Sequence, residues 1–227
     1  GFQRDEFTPI DIQPDAIKKM VNAKPSMADI VIIGDEVHSK NPAVQLDLGG
    51  YAKGYALDKA AEKLHQLGIK NALINIGGNI IALGQHGDHP WRVGIQHPRQ
   101  PQPMATVDLL DGWAIGTSGD YQRYFIAKDG KRYCHIIDPQ TGYPVAHTQA
   151  VTVLIPPQHH AGVLSDVTSK PIFIAADDKR QSMASAMGVQ NYLVVDAHGE
   201  ISLSDAMKKR IHWIKLPQQA GLSKNES

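Results

Sequence analysis

Helical periodicity is clearest in the stretch from residue 52 to residue 67. The apolar positions there recur at intervals of four, four and three residues, which places them on one face of an α-helix; they are Ala56, Ala60, Leu64 and Leu67. Gly68 follows directly and suits the left-handed conformation that commonly terminates a helix. The pattern therefore predicts a helix over residues 52–67.

Three other stretches also favour helices. Ile17, Met20 and Val21 recur at helical spacing and predict a helix over residues 14–21. A second helix should begin near residue 159 or 160 and meet Pro171, which lacks a backbone N–H and should kink or end it. A third is predicted at about residues 179–187.

Short β-type runs account for most of the remaining chain, and turn residues such as Gly77-Gly78, Asp111-Gly112 and Asp129-Gly130 separate many of them. This spacing is typical of antiparallel hairpins. The chain shows no repeat and no composition shift that would mark a linker. We therefore expect an α+β fold, a single domain over residues 1–227 with a mostly antiparallel sheet and packed helices. The strands are predicted at residues 30–33, 72–75, 80–83, 91–96, 105–110, 113–116, 121–127, 132–137, 148–155, 191–196, 201–203 and 211–216.

Composition and charge exclude several classes of function. The chain has 227 residues, and 23 Lys and Arg residues balance 23 Asp and Glu residues. A formal net charge of zero gives no overall field that would attract nucleic acid, so no nucleic-acid partner is expected. Cys134 is the single cysteine, which excludes an internal disulfide and any multi-cysteine metal site. No apolar run approaches the roughly 20 residues of a membrane-spanning helix.

The segment from Asp47 to Asp58 combines an acid, a glycine pair and Lys53 at the start of the predicted helix. Glycines allow close approach of a ligand to the backbone, and helix N-termini favour phosphate. The spacing of Gly49 and Gly54 resembles a P-loop, but Tyr-Ala follows where Lys-Ser/Thr is required. Either a phosphate-type site or a tight strand-to-helix turn fits the segment.

Three further motifs can be interpreted either as structural or as functional. Asn-Ile-Gly-Gly-Asn at residues 75–79 is a glycine-bent strand pair or a place where a ligand meets backbone. Ser118 lies between small residues, but Asp120 stands where a nucleophile elbow needs glycine, so a serine hydrolase is poorly supported. His135 precedes a turn, where a histidine can act as a base near neutral pH or be structural. No His-Glu-x-x-His helix supports a metal site at the other histidines.

Taken in order, four motifs resemble those of the ApbE-type FAD:protein FMN transferases. They are Asp-Leu-Gly-Gly-x-Ala-Lys-Gly-Tyr-Ala-x-Asp from residue 47, Asn-Ile-Gly-Gly-Asn from residue 75, Thr-Ser-Gly-Asp-Tyr-x-Arg from residue 117 and His-Ile-Ile-Asp-Pro-x-Thr-Gly from residue 135. The resemblance implies that a Thr or Ser hydroxyl of an acceptor protein attacks the FMN-side phosphorus of FAD, releasing AMP. It assigns to His135 the role of the base that deprotonates this hydroxyl.

The same resemblance implies ligand contacts for five other residues. Asp47 and Lys53 are expected to contact FAD, and backbone around Ile137 to line the flavin pocket. The Gly50 carbonyl and Asp166 are expected to ligate Mg²⁺.

The chain departs from the family pattern near this metal site. Where the family has Asp, three residues and then Thr, this chain has Lys170 four residues after Asp166. An ammonium group cannot ligate a cation, whereas the two side chains at this spacing can form an ion pair. We hypothesise that Lys170 stands in the metal position and partly replaces the charge of Mg²⁺, whose binding is weakened or lost. Ser169 shares the same helical face as a replacement ligand, and Thr168 faces away.

Family members carry a longer N-terminal segment that forms part of the FAD-contacting wall. From the resemblance we expect the chain to be a fragment or a short form, or to be completed by another chain. The alternatives to FMN transfer are a degenerate flavin-binding or regulatory module and an FAD pyrophosphatase, in which water replaces the acceptor hydroxyl. The expected acceptor is a subunit of a membrane electron-transport complex, such as an ion-pumping NADH:quinone oxidoreductase. The resemblance also implies a periplasmic or extracytoplasmic setting, with a lipid anchor upstream of Gly1.

Overall fold

The computed structural model describes residues 13–128 and 130–214, and the fold is the expected α+β class with antiparallel sheets. Among the described residues, none of the helices is long and apolar enough to cross a membrane. Single 3₁₀ turns cover Met27–Asp29 and Asp177–Lys179. The helices are α1 (Pro14–Asn22), α2 (Ala52–Gln66), α3 (Ala161–Val167), α4 (Ser169–Ile174), α5 (Arg180–Ala186) and α6 (Asp205–Lys208).

The strands form one large sheet and three smaller assemblies, and all their pairings are antiparallel. The large sheet has the order β12-β11-β10-β7-β4-β3, a three-stranded sheet has the order β13-β6-β5, and β1-β2 and β8-β9 are hairpins. The strands are β1 (Ile30–Ile33), β2 (Glu36–Ser39), β3 (Ala72–Ile76), β4 (Asn79–Leu83), β5 (Trp91–Gln96), β6 (Pro103–Leu109), β7 (Ala114–Gly119), β8 (Tyr124–Ile126), β9 (Arg132–Cys134), β10 (Thr148–Ile155), β11 (Asn191–Asp196), β12 (Ile201–Leu203) and β13 (Ile211–Trp213).

The central strands of the large sheet, β4, β7, β10 and β11, are buried on both faces. Along β4, Ile81 packs in the cluster with the helices, whereas Ile80 packs in the cluster with the three-stranded sheet. Strand β10 alternates in the same way, with Val151 on the helical side and Ala150 on the other. Burial of both faces explains why these strands read as continuous apolar runs instead of alternating patterns.

Several predicted boundaries are wrong. The strand predicted over residues 132–137 ends at Cys134, because Ile137 leaves β9 and forms an isolated bridge with Pro144. The strand predicted over 121–127 covers only Tyr124–Ile126. Strand β2 and helix α6 were not predicted. Every side chain of β2 is exposed, so β2 lacks the half-buried alternation that reveals a strand. The predicted turn residue Asp129 and the last residues of the strand predicted over 211–216 lie outside the described residues.

The break predicted near Pro171 is confirmed. Helix α3 ends at Val167 and α4 begins at Ser169, so the break falls at Thr168. Pro171 is the third residue of α4, within the first turn, where N–H groups have no partner inside the helix and the missing proton is tolerated.

Helices α2 and α3 pack so closely that their backbones touch. A Cβ atom on Gly54 would lie 2.4 Å from the Gly162 carbonyl oxygen, and one on Gly162 would lie 2.6 Å from the Gly54 carbonyl oxygen. Each helix also caps the other. Asp58 of α2 accepts hydrogen bonds from the N–H groups of Gly162 (2.7 Å) and Val163 (2.9 Å), and Asp166 of α3 accepts one from Gly54 N–H (3.2 Å). Because neither helix has a capping side chain of its own, this reciprocal capping fixes the pair that carries the candidate site.

Candidate active site

Asp166 lies at the centre of a cluster with two lysines. Its side chain is 2% exposed. Lys53 Nζ donates to both carboxylate oxygens, at 3.1 and 3.2 Å, and to the Gly49 carbonyl at 3.1 Å. Lys170 Nζ donates to Asp166 Oδ1 at 2.8 Å and to the Asp166 backbone carbonyl at 2.6 Å. The Lys53–Asp166–Lys170 cluster therefore holds one buried negative charge between two ammonium groups.

The first two motifs singled out in the sequence lie next to the α3–α4 segment that supplies Asp166 and Lys170. Lys53 is in the first turn of α2, and Gly77 of the β3–β4 turn packs against its side chain, since a Cβ on Gly77 would lie 3.4 Å from Lys53 Cδ. The aliphatic part of Lys170 lies against Gly50, where an added Cβ would be 2.8 Å from Lys170 Cε. The first two motifs thus meet the α3–α4 segment at one place.

The charges in the cluster shift one another's titration. Burial alone would raise the pKa of Asp166, but the hydrogen bonds and positive charges of Lys170 and Lys53 outweigh it, and the pKa lies below its ordinary value. Burial lowers the pKa of Lys170, although the Asp166 carboxylate opposes this, and the charge of Lys53 lowers it further. Asp166 is therefore ionised near neutral pH.

His135 follows β9 and is influenced by the same lysines. Its Nδ1 lies 3.2 Å from the Arg123 carbonyl oxygen. Because a carbonyl only accepts, Nδ1 carries the proton of the neutral ring and Nε2 carries the lone pair. Burial lowers the pKa of His135, and the positive charges of Arg123, Lys170 and Lys53 lower it further, against the effect of the Arg123 hydrogen bond. The imidazole is therefore neutral at pH 7 and able to accept a proton.

Three other predicted site residues take no part in the ion pairs of the cluster. Asp47 is exposed, and its Oδ1 accepts from Gly49 N–H at 2.7 Å. Ile137 is exposed. The hydrogen bonds of its bridge to Pro144 are made by the neighbouring residues Ile136 and Asp138, so the N–H and C=O of Ile137 point away from Pro144. Ser169 is buried, and its hydroxyl bonds Ser118 Oγ at 2.8 Å and the Asp166 carbonyl at 3.1 Å. Their roles in ligand binding stay predictions.

Comparison with known proteins identifies the family. The family model described as "ApbE family" matches residues 1–213. The chain belongs to the ApbE family. A relative from Rhodobacter capsulatus named FAD:protein FMN transferase is 40% identical over 216 residues, which cover 95% of this chain and 40% of the relative. One of the same name from Haemophilus influenzae is 35% identical over 175 residues, covering 75% of this chain and 49% of the relative.

Solved ApbE structures share the fold. The crystal structure of the ApbE protein from Thermotoga maritima has a TM-score of 0.77 and 31% identity, over 87% of this chain and 63% of that one. The apo form of the flavinyl transferase ApbE from Pseudomonas stutzeri has a TM-score of 0.71 and 32% identity, over 91% of this chain and 63% of that one. The chain thus spans half or less of the two curated relatives described above.

The ApbE resemblance implied a Mg²⁺ ligand set that the local geometry does not fit. Mg²⁺ requires a near-octahedral set of oxygen atoms. Both carboxylate oxygens of Asp166 and its backbone carbonyl already accept hydrogen bonds, and Lys170 covers Gly50. Among residues 13–128 and 130–214, no group of three or more His, Cys, Asp or Glu side chains could hold a metal ion. We therefore derive no catalytic step through Mg²⁺ in this member of the ApbE family.

Two contributions to this ApbE site were missed from the sequence. Asp58 appeared in the first motif without a role, yet it caps α3 and thereby positions Asp166. Ser118, considered only as a nucleophile, anchors Ser169 across the α4–β7 contact. The spacing of residues within a motif gave no signal for either contact, because both partners are more than 50 residues away in the chain.

Proposed function

We propose that this chain transfers FMN from FAD to a Thr or Ser hydroxyl of an acceptor protein and releases AMP. The observation that carries the proposal is the Lys53–Asp166–Lys170 cluster, in which two ammonium groups surround one buried carboxylate and lower the pKa of the neutral His135 through their charge. The names of the relatives, which are FAD:protein FMN transferases, support the same reaction.

The reaction requires a base for the acceptor hydroxyl. His135 Nε2 takes the hydroxyl proton as the oxygen forms its bond to the FMN-side phosphorus. The bond from that phosphorus to the bridging oxygen of the pyrophosphate breaks, and AMP leaves with the bridging oxygen. The Arg123 carbonyl accepts a hydrogen bond from His135 Nδ1–H, which leaves the lone pair of the neutral ring on Nε2.

The pyrophosphate requires positive charge, because negative charge spreads over its oxygen atoms in the transition state. Lys53 and Lys170 supply it from fixed positions, since each is tethered to Asp166. Their side chains remain 35% and 28% exposed, which leaves the ammonium groups accessible to a ligand from solvent. Gly49 and Gly50 at the entrance to α2 allow phosphate oxygens close to the backbone.

Incubation of the full chain with FAD and a candidate acceptor tests this function. The flavin-carrying subunit of an ion-pumping NADH:quinone oxidoreductase is the acceptor to use. We expect flavin fluorescence on the acceptor band of a denaturing gel, with one AMP released per flavin attached. AMP and free FMN without labelled acceptor would identify an FAD pyrophosphatase instead. FAD binding without AMP release would identify a flavin-binding or regulatory module.

The acceptor class also suggests where the protein works. Because such subunits face the extracytoplasmic side, this chain should act in the periplasm or at the outer face of the membrane, held there by a lipid anchor on the full-length protein. Fractionation of cells that express the full-length protein should find it outside the cytoplasm. Recovery with soluble cytoplasmic markers would overturn this setting.

A further inference from the structure

The cluster around Asp166 carries an excess of positive charge in the place where a phosphate ligand would bind. Lys53 and Lys170 contribute two positive charges, and Asp166 contributes one buried negative charge. The nearest carboxylate on the α2 entrance loop, Asp47, is exposed and turned back onto Gly49 N–H. The buried part of the cluster therefore keeps one uncompensated ammonium charge for an anion.

The oxygen atoms that a divalent cation would need are already used. Asp166 Oδ1 accepts from Lys53 and Lys170, and Asp166 Oδ2 accepts from Lys53 and Gly54 N–H. The Asp166 carbonyl accepts from Lys170 and from Ser169 Oγ. A cation placed among these oxygens would displace two ammonium groups and face their repulsion.

Lys170 is fixed in this position by its surroundings. Its backbone lies one turn beyond Asp166, across the break at Thr168, and its aliphatic part packs against Gly50. An ammonium group has three donors, and two of its contacts here are to Asp166 oxygens. Its charge therefore stays within reach of a ligand seated on the Gly49-Gly50 turn.

We infer that Lys170 replaces a divalent cation, so that this chain binds the pyrophosphate of FAD through Lys53 and Lys170 without Mg²⁺. The inference rests on the proposed function, because it takes FAD as the ligand. A phosphoryl-transfer enzyme usually neutralises the phosphates of its substrate with metal ions. Here the ammonium group of Lys170 supplies part of that positive charge.

An FAD titration followed by flavin fluorescence tests the inference, run with Mg²⁺ and again with EDTA. The unmodified chain should bind FAD with the same Kd in both. Lys170→Thr removes the ammonium group and adds an oxygen ligand, so its affinity in EDTA should fall about tenfold or more, the loss expected for one charge-assisted hydrogen bond. Mg²⁺ should restore that affinity. Lys179→Thr, an exposed lysine before α5, is the matched control and should behave like the unmodified chain.

A second measurement reads metal binding directly. Titration of Mn²⁺ followed by electron paramagnetic resonance should show no bound Mn²⁺ in the unmodified chain and one site in Lys170→Thr. Mg²⁺-dependent FAD binding by the unmodified chain would overturn the role of Lys170 and leave the proposed function standing. No FAD binding under either condition would overturn both.

Discussion

Replacing His135 with alanine should lower the rate of FMN transfer by about 10²- to 10⁴-fold, the range typical of a general base. Affinity for FAD should change little, because the two lysines proposed to bind the pyrophosphate are held in place by Asp166. Single-turnover labelling of the acceptor gives the rate, and flavin fluorescence gives the Kd. His147→Ala is the control, since that ring also bonds a backbone carbonyl, that of Ala175.

The pH profile gives an independent readout of the same residue. Burial, with the nearby positive charges, holds the pKa of His135 below its ordinary value of 6.5. The rate should therefore rise with pH and reach half its maximum below pH 6.5, as the imidazole loses its proton. The residual activity of His135→Ala should not show this rise in rate with pH. An unchanged rate in the variant would remove His135 from the mechanism.

Replacing Asp166 with alanine should lower the free energy of unfolding by about 3–5 kcal/mol, the cost of removing one partner from a buried ion pair. The change leaves Lys53 and Lys170 facing each other and leaves Gly54 N–H without its acceptor. Urea unfolding followed by circular dichroism measures the loss. Asp166→Asn keeps the shape of the side chain and an acceptor oxygen, so it should lower the free energy of unfolding less than Asp166→Ala.

The Asp205–Lys208 pair provides a matched control, because it joins the same residue types at the surface. Asp205→Ala should lower the free energy of unfolding much less than Asp166→Ala, because solvent screens exposed ion pairs. The folded chain binds the Asp166 proton less readily than the unfolded chain, since this pKa is lowered. The stabilisation is therefore complete above about pH 4, the pKa of an unperturbed Asp, and is lost as the pH falls through the lower folded value. If Asp166→Ala and Asp205→Ala lowered the free energy of unfolding equally, water would have to screen the Lys53–Asp166–Lys170 cluster as it screens a surface pair.

The sequence predicts the bounds of an element well where residues close together in the chain determine them. Helix α2 begins as predicted and ends one residue early, and Gly68 has the expected left-handed conformation, with φ of 74°. Its buried face is less well predicted. Leu57 and Ala61 are the buried apolar residues, with Gly54 beside them, whereas the predicted Ala56 and Ala60 are half-buried. A hydrophobic pattern cannot register a glycine that is buried because another helix backbone touches it.

The candidate site was predicted in part, and the missing part depends on distant contacts. The ion pair between Asp166 and Lys170 was predicted because the two residues are four apart, a spacing that helical geometry fixes. The pairing of Lys53 with Asp166 joins residues 113 apart, and no periodicity encodes it. Only the packing of α2 against α3 brings these side chains together.

The reciprocal capping of α2 and α3 has a consequence for the order of events during synthesis. Asp58 and its partner Gly162 are 104 residues apart in the chain. At about 5–20 residues per second on the ribosome, α2 is made roughly 5–20 s before the helix that completes it. During that interval Lys53 has no counter-charge from Asp166, and the N-terminus of α2 has no cap. Under the proposed function, the FAD site is therefore incomplete until Asp166 has been synthesised, and a product that ends before α3 should not bind FAD.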